Sequence, residues 1–365
     1  PSKSPCPTRP SAPQGQARGV PVHRRRRISD DWNCGAPVSD IKRLAAYWRD
    51  DFDWRAQEAR LNEIPQFTTT VSVDGFGELS VHLVHQGSSR AGSIPLFFCH
   101  GCRLLGRRGQ EGFSIPRYAE TLHKVMLNLG YDKYGLTSVA VTQGGDKGFI
   151  ITRLVGMQYP DHCLASHINV VRVTSSPKLT KTPLFYLRHA LQPYSELQKQ
   201  ARERTAWFAG EGFGYNLLQS TKPSMLGFAL ADSPFALLAW VYEKPHDWTN
   251  GYPWTGLDLR LPGSVASARM YYEAKHAATA QVARGLEYVP RVRLGFSILP
   301  RDLIVPPRTW ARTLGPVVFE KMHDSGGHVA AHERPEELAG DLRNMYRRDG
   351  GVYDVAARRA RESRL

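Results

Sequence analysis

Between residues 39 and 62 apolar side chains recur at three- and four-residue spacing in two runs, Ser39 to Trp48 and Trp54 to Asn62. Each run predicts an amphipathic helix. From Thr68 the period falls to two: Val71 and Val73, then Leu79, Val81 and Leu83, with Gly75 and Gly77 between them. That pattern predicts an antiparallel hairpin. Short apolar runs then alternate with helical ones: strand Ile94 to Cys99, helix Ile115 to Leu129, strand Ser138 to Val141, helix Lys147 to Tyr159 and strand Ala165 to Val171. Such alternation is what a parallel α/β sheet requires. A mainly helical stretch follows from about Pro177 to Val289, with Ala229 to Glu243 as its clearest helix. Strands at Arg291 to Leu299 and Gly315 to Phe319 and a helix at Pro335 to Tyr346 complete the pattern. No internal repeat interrupts it.

The composition agrees with a packed core, since 41% of the 365 residues are hydrophobic and 10% aromatic. No apolar run approaches the roughly 18 residues that a spanning helix needs, and no signal peptide is visible. We therefore expect no transmembrane segment and a cytoplasmic location. The chain begins with Pro, as a fragment would. A net charge of +14 raises the question of nucleic acid. Much of the excess is terminal, in Arg24 to Arg27 and in Arg347, Arg348, Arg358, Arg359, Arg361 and Arg364, so no nucleic-acid partner is expected. Residues 1–28, rich in Pro, Ser and Arg, read as a disordered basic tail, and 351–365 as a second one. The five cysteines have no metal-site spacing, and the Cys99–Cys102 C-x-x-C reads as coincidence. Neither a metal nor a cofactor is expected.

One segment carries chemistry. Gly144-Gly145-Asp146-Lys147-Gly148 follows an apolar run and precedes a helical one. Small residues on both sides of a nucleophile let the backbone turn sharply from strand to helix and lift one side chain above the sheet. A carboxylate there can attack carbon and form an ester. An ordinary Asp N-cap in a glycine turn would read alike. A catalytic elbow needs an acid and then a histidine later in the chain. Asp302, just past an apolar run, and His328, in Ser325-Gly326-Gly327-His328, supply that order.

These pieces, taken in order, resemble the microsomal-type epoxide hydrolases, most of all their soluble fungal and bacterial members. The resemblance runs from about Trp32 to about Tyr346. It rests on Tyr47-Trp48-Arg49-Asp50-Asp51-Phe52-Asp53-Trp54-Arg55, Pro65-Gln66-Phe67, His100-Gly101 and Gly144 to Gly148, then on Asp232-Ser233-Pro234, Leu237-Leu238-Ala239-Trp240, Arg269-Met270-Tyr271-Tyr272-Glu273 and Gly326-Gly327-His328. It implies an α/β-hydrolase fold, with a mainly parallel central sheet, a helical lid and an N-terminal helical arm. The implied organisation is an arm at 29–72, core halves at 73–176 and 290–350, and a lid at 177–289. It also implies that Asp146 attacks an epoxide carbon, and that water activated by His328, oriented by Asp302, hydrolyses the ester to a vicinal diol. Tyr215 and Tyr271 would donate protons to the epoxide oxygen, and the backbone N–H groups of Cys102 and Lys147 would form the oxyanion hole. The partners would be a small hydrophobic epoxide and water, with a homodimer left open. Epoxide metabolism, detoxification or aromatic hydrocarbon catabolism would be the setting.

Departures from the family pattern point to internal deletion. His100-Gly101 continues as Cys102-Arg103 where the family has Trp-Pro. Only Cys102 to Gly112 separate it from Phe113-Ser114, too few for the helix and central strand that the family places there. One core strand is therefore expected to be missing. The lid is shortened around Gly256 to Leu261, and Gly135 to Ser138 look inserted. An enzyme with impaired or lost activity is thus an alternative. A haloalkane dehalogenase-like hydrolase is a further one, disfavoured by Lys147 and by the two tyrosines.

Overall fold

The computed structural model describes residues 2–3, 30–90, 93–101, 111–131, 140–173, 175–254, 265–276 and 279–353. Helices α1 (Val38–Asp50) and α2 (Trp54–Asn62) open the described chain, and the Asp53 carboxylate caps α2 by accepting from the N–H groups of Arg55 and Ala56. Strand β1 (Ser2–Lys3) lies antiparallel to β2 (Gln66–Val73), which pairs with β3 (Gly77–Val84). Gly75 and Gly77, at φ of 80° and 70°, make the turn between β2 and β3. Ser2 and Lys3, read as part of a structureless tail, thus extend the hairpin; the rest of both expected tails, apart from Gly351 to Tyr353, lies outside the described residues.

The second sheet is wholly parallel, in the order β4 (Leu96–His100), β5 (Ala140–Gly145), β6 (Cys163–Ile168), β7 (Arg293–Ile298), β8 (Val317–Met322). Helices α3 (Ile115–Asn128) and α4 (Gly148–Gln158) precede and follow β5. The α4 sequence is apolar around most of its circumference, and residues 148–156 are all buried, as a helix enclosed by a core requires. Phe149, Ile151, Phe296 and Leu294 are essentially inaccessible. Each such side chain contributes roughly 1.5–3 kcal/mol by leaving water.

Among the described residues β4 pairs with β5 alone, and the β2–β3 hairpin forms a separate sheet. Leu96 and Phe98 on β4 remain 44% and 46% exposed. In a parallel sheet with both faces covered, such residues would be buried. One side of β4 is thus partly exposed. The filler segment 102–110, the insertion around 135–138 and the lid stretch 256–261 lie outside the described residues.

Between β6 and β7 the chain is helical: α5 (Pro183–Leu191), α6 (Glu196–Trp207), a π-helical turn at Phe208–Gly212, α7 (Gly214–Thr221), α8 (Pro223–Asp232), α9 (Pro234–Trp248), α10 (Val265–His276) and α11 (Thr279–Arg284). The single helix expected from Ala229 to Glu243 is two, bent by 117° at Ser233. Pro234 lacks the N–H that would continue α8, and the Ser233 hydroxyl caps α9 by accepting from the Ala236 N–H. Short α12 (Arg308–Ala311) and α13 (Ala330–Glu333) and the longer α14 (Pro335–Tyr346) finish the fold. The strand expected at Ser138–Val141 instead runs to Gly145, because two glycines do not end a ladder that has a neighbour on each side. No single helix among the described residues is long and apolar enough to cross a membrane.

Candidate active site

The β5–α4 junction is an elbow whose geometry only this sequence of small residues permits. A Cβ on Gly144 would fall 2.5 Å from the Gly148 carbonyl oxygen, one on Gly145 2.3 Å from the His100 ring, and one on Gly148 1.9 Å from the Cys99 carbonyl oxygen. At the apex Asp146 has φ of 48°, the one positive value among the described non-glycine residues. A carboxylate residue held in that region stores strain of order 1–3 kcal/mol, which the packing around it must sustain. Its side chain keeps 19% exposure, so a small molecule can reach it. Gly101, at the end of β4, lies close enough that a Cβ there would come 3.3 Å from Asp146 Oδ2.

The three residues of the sequence-derived triad meet at this point. The His328 Nδ1 and Asp302 Oδ1 are 2.7 Å apart, and His328 Nε2 faces Asp146 Oδ1 at 3.5 Å. Asp302 follows β7 at the carboxyl edge of the sheet, and its Oδ1 also accepts from the Leu303 N–H. His328 sits on the loop after β8, fastened at both ends of its approach. Its N–H donates to the Trp248 carbonyl at 2.6 Å, and the Gly327 N–H donates to Glu333 Oε1 at 2.6 Å. A side chain at 327 would strike that Trp248 carbonyl at 2.4 Å, so glycine is required there.

The charges are arranged consistently. Burial works against a charged imidazole at His328, but Asp302 and Asp146 outweigh it and raise the pKa to about 9. Burial would likewise raise the Asp146 carboxyl, yet His328 and Lys147 hold it well below the ordinary carboxylate range. Nearby His100 is pushed down by burial and stays neutral, and its Nε2 faces the His328 carbonyl oxygen at 3.3 Å.

Both expected tyrosines come to the same place. Tyr215 on α7 and Tyr271 on α10 stand edge to face with ring centroids 5.9 Å apart. Tyr215 packs on Trp248, whose ring meets His328 edge-on at 5.1 Å. Burial, and for each also the Asp146 charge, pushes both phenols above their usual range, so both carry their protons at neutral pH. Lysines lie over both rings: Lys147 Nζ is 3.7 Å from the Tyr271 centroid, and Lys244 Nζ is 4.8 Å from that of Tyr215. Of the two expected oxyanion donors, Lys147 follows the apex directly, whereas Cys102 lies outside the described residues.

The sequence reading passed over three participants. Glu333 holds the N–H groups of Gly327 and Asn250, joining the histidine loop to the end of α9. Trp248 contacts the imidazole, and Arg204 on α6 donates to the Asp302 and Asp247 carbonyls. Only the Gly-Gly-His spacing hinted at any of them, since partners that act through backbone groups leave no periodic mark.

The matches to known proteins fit this geometry. Residues 14–102 match the family model described as epoxide hydrolase N terminus. A protein of Stigmatella aurantiaca provisionally assigned as an epoxide hydrolase is 29% identical over 88% of this chain and 79% of its own. Epoxide hydrolase 1 of Sus scrofa is 26% identical over 84% of this chain and 79% of its own. The epoxide hydrolase of Aspergillus niger superposes with a TM-score of 0.74 at 27% identity, covering 93% of this chain and 95% of that one. The β-strand order, the strained elbow and these likenesses agree: the fold is that of the α/β-hydrolases, and the chain is similar to the epoxide hydrolases among them.

Proposed function

We propose that the protein converts an epoxide to a vicinal diol in two steps through an ester on Asp146. The single observation that carries the reading is the constellation of a strained, ionised, partly exposed aspartate, a His328–Asp302 pair 3.5 Å from it, and two protonated phenols that feel its charge. In the first step an Asp146 oxygen attacks a ring carbon, the carbon–oxygen bond of the epoxide breaks, and a Tyr215 or Tyr271 hydroxyl protonates the departing oxygen. The attack removes the Asp146 charge, and with it two of the influences that hold the proton on His328. The imidazole then returns a proton to the phenolate and becomes a base. In the second step it takes a proton from water, and the hydroxide adds to the ester carbonyl. The oxyanion is met by the Lys147 N–H, with the Cys102 N–H as the second expected donor. Collapse expels the diol as an alkoxide, which takes a proton from His328, and the carboxylic proton then passes to His328, restoring the Asp146 carboxylate and the imidazolium.

Protein mixed in excess with styrene oxide tests this by intact mass. His328→Gln should trap an adduct of one styrene oxide on Asp146, wild type should release the diol, and Asp146→Ala should do neither. Absence of both adduct and diol from folded wild type would overturn the reading. That result would favour the second reading, loss of activity through deletion, for which the specific observation is that β4 pairs, among the described residues, with β5 alone. Halide release from an alkyl chloride is not expected.

A further inference from the structure

The elbow lysine carries a second meaning. Lys147 is the residue directly after the apex, at the N-terminus of α4, and its Nζ lies 3.7 Å over the ring of Tyr271. Its neighbour in charge is Arg172, four residues beyond the end of β6 at the same carboxyl edge of the sheet. The Arg172 charge is felt at Lys147, Tyr215 and Tyr271 alike. Lys244, over the other phenol, is neutralised by its ion pair with Glu243. Lys147 and Arg172 make no ion pair with a carboxylate among the described residues; burial pushes the Lys147 ammonium below its usual range, and the Asp146 charge works to keep its proton. With Asp146 and Asp302 negative and His328 positive, these two cations leave the five groups at +1 instead of −1. A partly enclosed site with surplus positive charge attracts anions, whereas a wholly apolar ligand would leave the ammonium desolvated and unpaired.

Resting on the epoxide-hydrolase reading, we propose that the preferred substrate is an epoxide bearing a carboxylate, held by Lys147 and Arg172 beside the carbon that Asp146 attacks. This narrows the small hydrophobic epoxide expected from the sequence to an amphipathic one. The carboxylate takes the cations, while Trp248 and the tyrosine rings take the apolar part. The substrate's negative charge also balances the loss of the Asp146 charge as the ester forms, so the cations stay paired through the first step.

Two epoxides of nearly equal shape decide it: trans-3-phenylglycidate, and trans-1-phenylpropylene oxide, in which a methyl replaces the carboxylate. Wild type should favour the glycidate in kcat/KM by about tenfold or more, the size of one charge-assisted contact. Lys147→Met and Arg172→Gln should each lower the ratio of the two kcat/KM values by about tenfold, and Lys147→Arg should restore most of it. The ratio is the readout because Lys147 also supplies a backbone donor, so absolute rates can fall with both substrates. Preference for the neutral epoxide by wild type, or a ratio unmoved in both variants, would overturn the proposal. Calorimetry with trans-cinnamate, which has the anion but no epoxide, separates the two ideas. Binding to wild type that is lost in Lys147→Met, with neither epoxide consumed, would sustain the anion site and sink the hydrolase reading. Turnover of epoxides without cinnamate binding would do the reverse.

Discussion

At the scale of single residues, His328 links the proposed chemistry to part of the stability. Its pKa of about 9 stands above the roughly 6.5 of an unfolded histidine, so the folded state binds the proton more tightly. The resulting stabilisation is complete below pH 6.5 and disappears as pH rises through about 9. The difference corresponds to about 3 kcal/mol at most, less whatever burial of the ion pair costs. Thermal unfolding of wild type should therefore drop in midpoint between pH 6.5 and 9 more steeply than that of His328→Gln. Parallel curves would show that the imidazole is neutral in the resting protein. The same coupling predicts that Asp146→Asn lowers the His328 pKa, because it removes two of the raising influences, and imidazole NMR titration of both proteins measures it. A shift in that direction mimics the ester state and explains how one residue is an acid before the first step and a base before the second.

At the scale of elements, the site depends on two carboxylates that never touch a substrate. Glu333, at the end of α13, accepts from the N–H groups of both Gly327 and Asn250 and so locks the His328 loop against the end of α9. Glu333→Ala frees both donors and should cut turnover by about 100-fold, the usual consequence of a misplacement near 1 Å. Intact-mass measurement should then show the Asp146 ester accumulating, since the second step uses the histidine and the first does not. Asp341 on α14 does comparable work beneath the sheet. Fully buried, it receives the Ser297 hydroxyl at 2.5 Å and His323 Nε2 at 2.6 Å, tying α14 to β7 and to the residue after β8. Asp341→Ala should destabilise by about 3–5 kcal/mol, read as a lower urea midpoint. These elements also show what a sequence makes legible. The order Asp146, Asp302, His328 and the glycines around them could be read directly, because strained backbone restricts residue type. So could α2 and α14, whose boundaries follow from caps and a leading proline. Glu333 and Asp341 could not, because their partners lie in backbone groups or on other elements. The break between α8 and α9 was written in Ser233-Pro234, but a continuous apolar run concealed it.

Over the whole molecule, the candidate site is assembled on a sheet whose first strand, β4, pairs among the described residues with β5 alone. The triad and the tyrosines are supplied by β5, the β7 and β8 loops and the helices above, all on one side of β4, so the deletion expected beyond β4 would leave their supports in place. The far end of the sheet is less enclosed. There β4 carries Leu96 and Phe98 at 44% and 46% exposure, and the neighbouring hairpin ends at Val84, 57% exposed. An exposed apolar strand at the end of a sheet is a template for another copy of itself. The net charge of +14 acts the other way, through repulsion between molecules that reaches only about a Debye length, roughly 30 Å at 0.01 M salt and 3 Å at 1 M. Self-association should therefore grow as salt is added, contrary to what an interface built on ion pairs would do. Light scattering across that range measures it. Phe98→Lys places a charge on the exposed face of β4 without entering the core, and should abolish most of the salt-driven association while leaving turnover per molecule unchanged. If Phe98→Lys associates as wild type does, the edge of β4 is covered in solution, and the surface that brings copies together lies elsewhere.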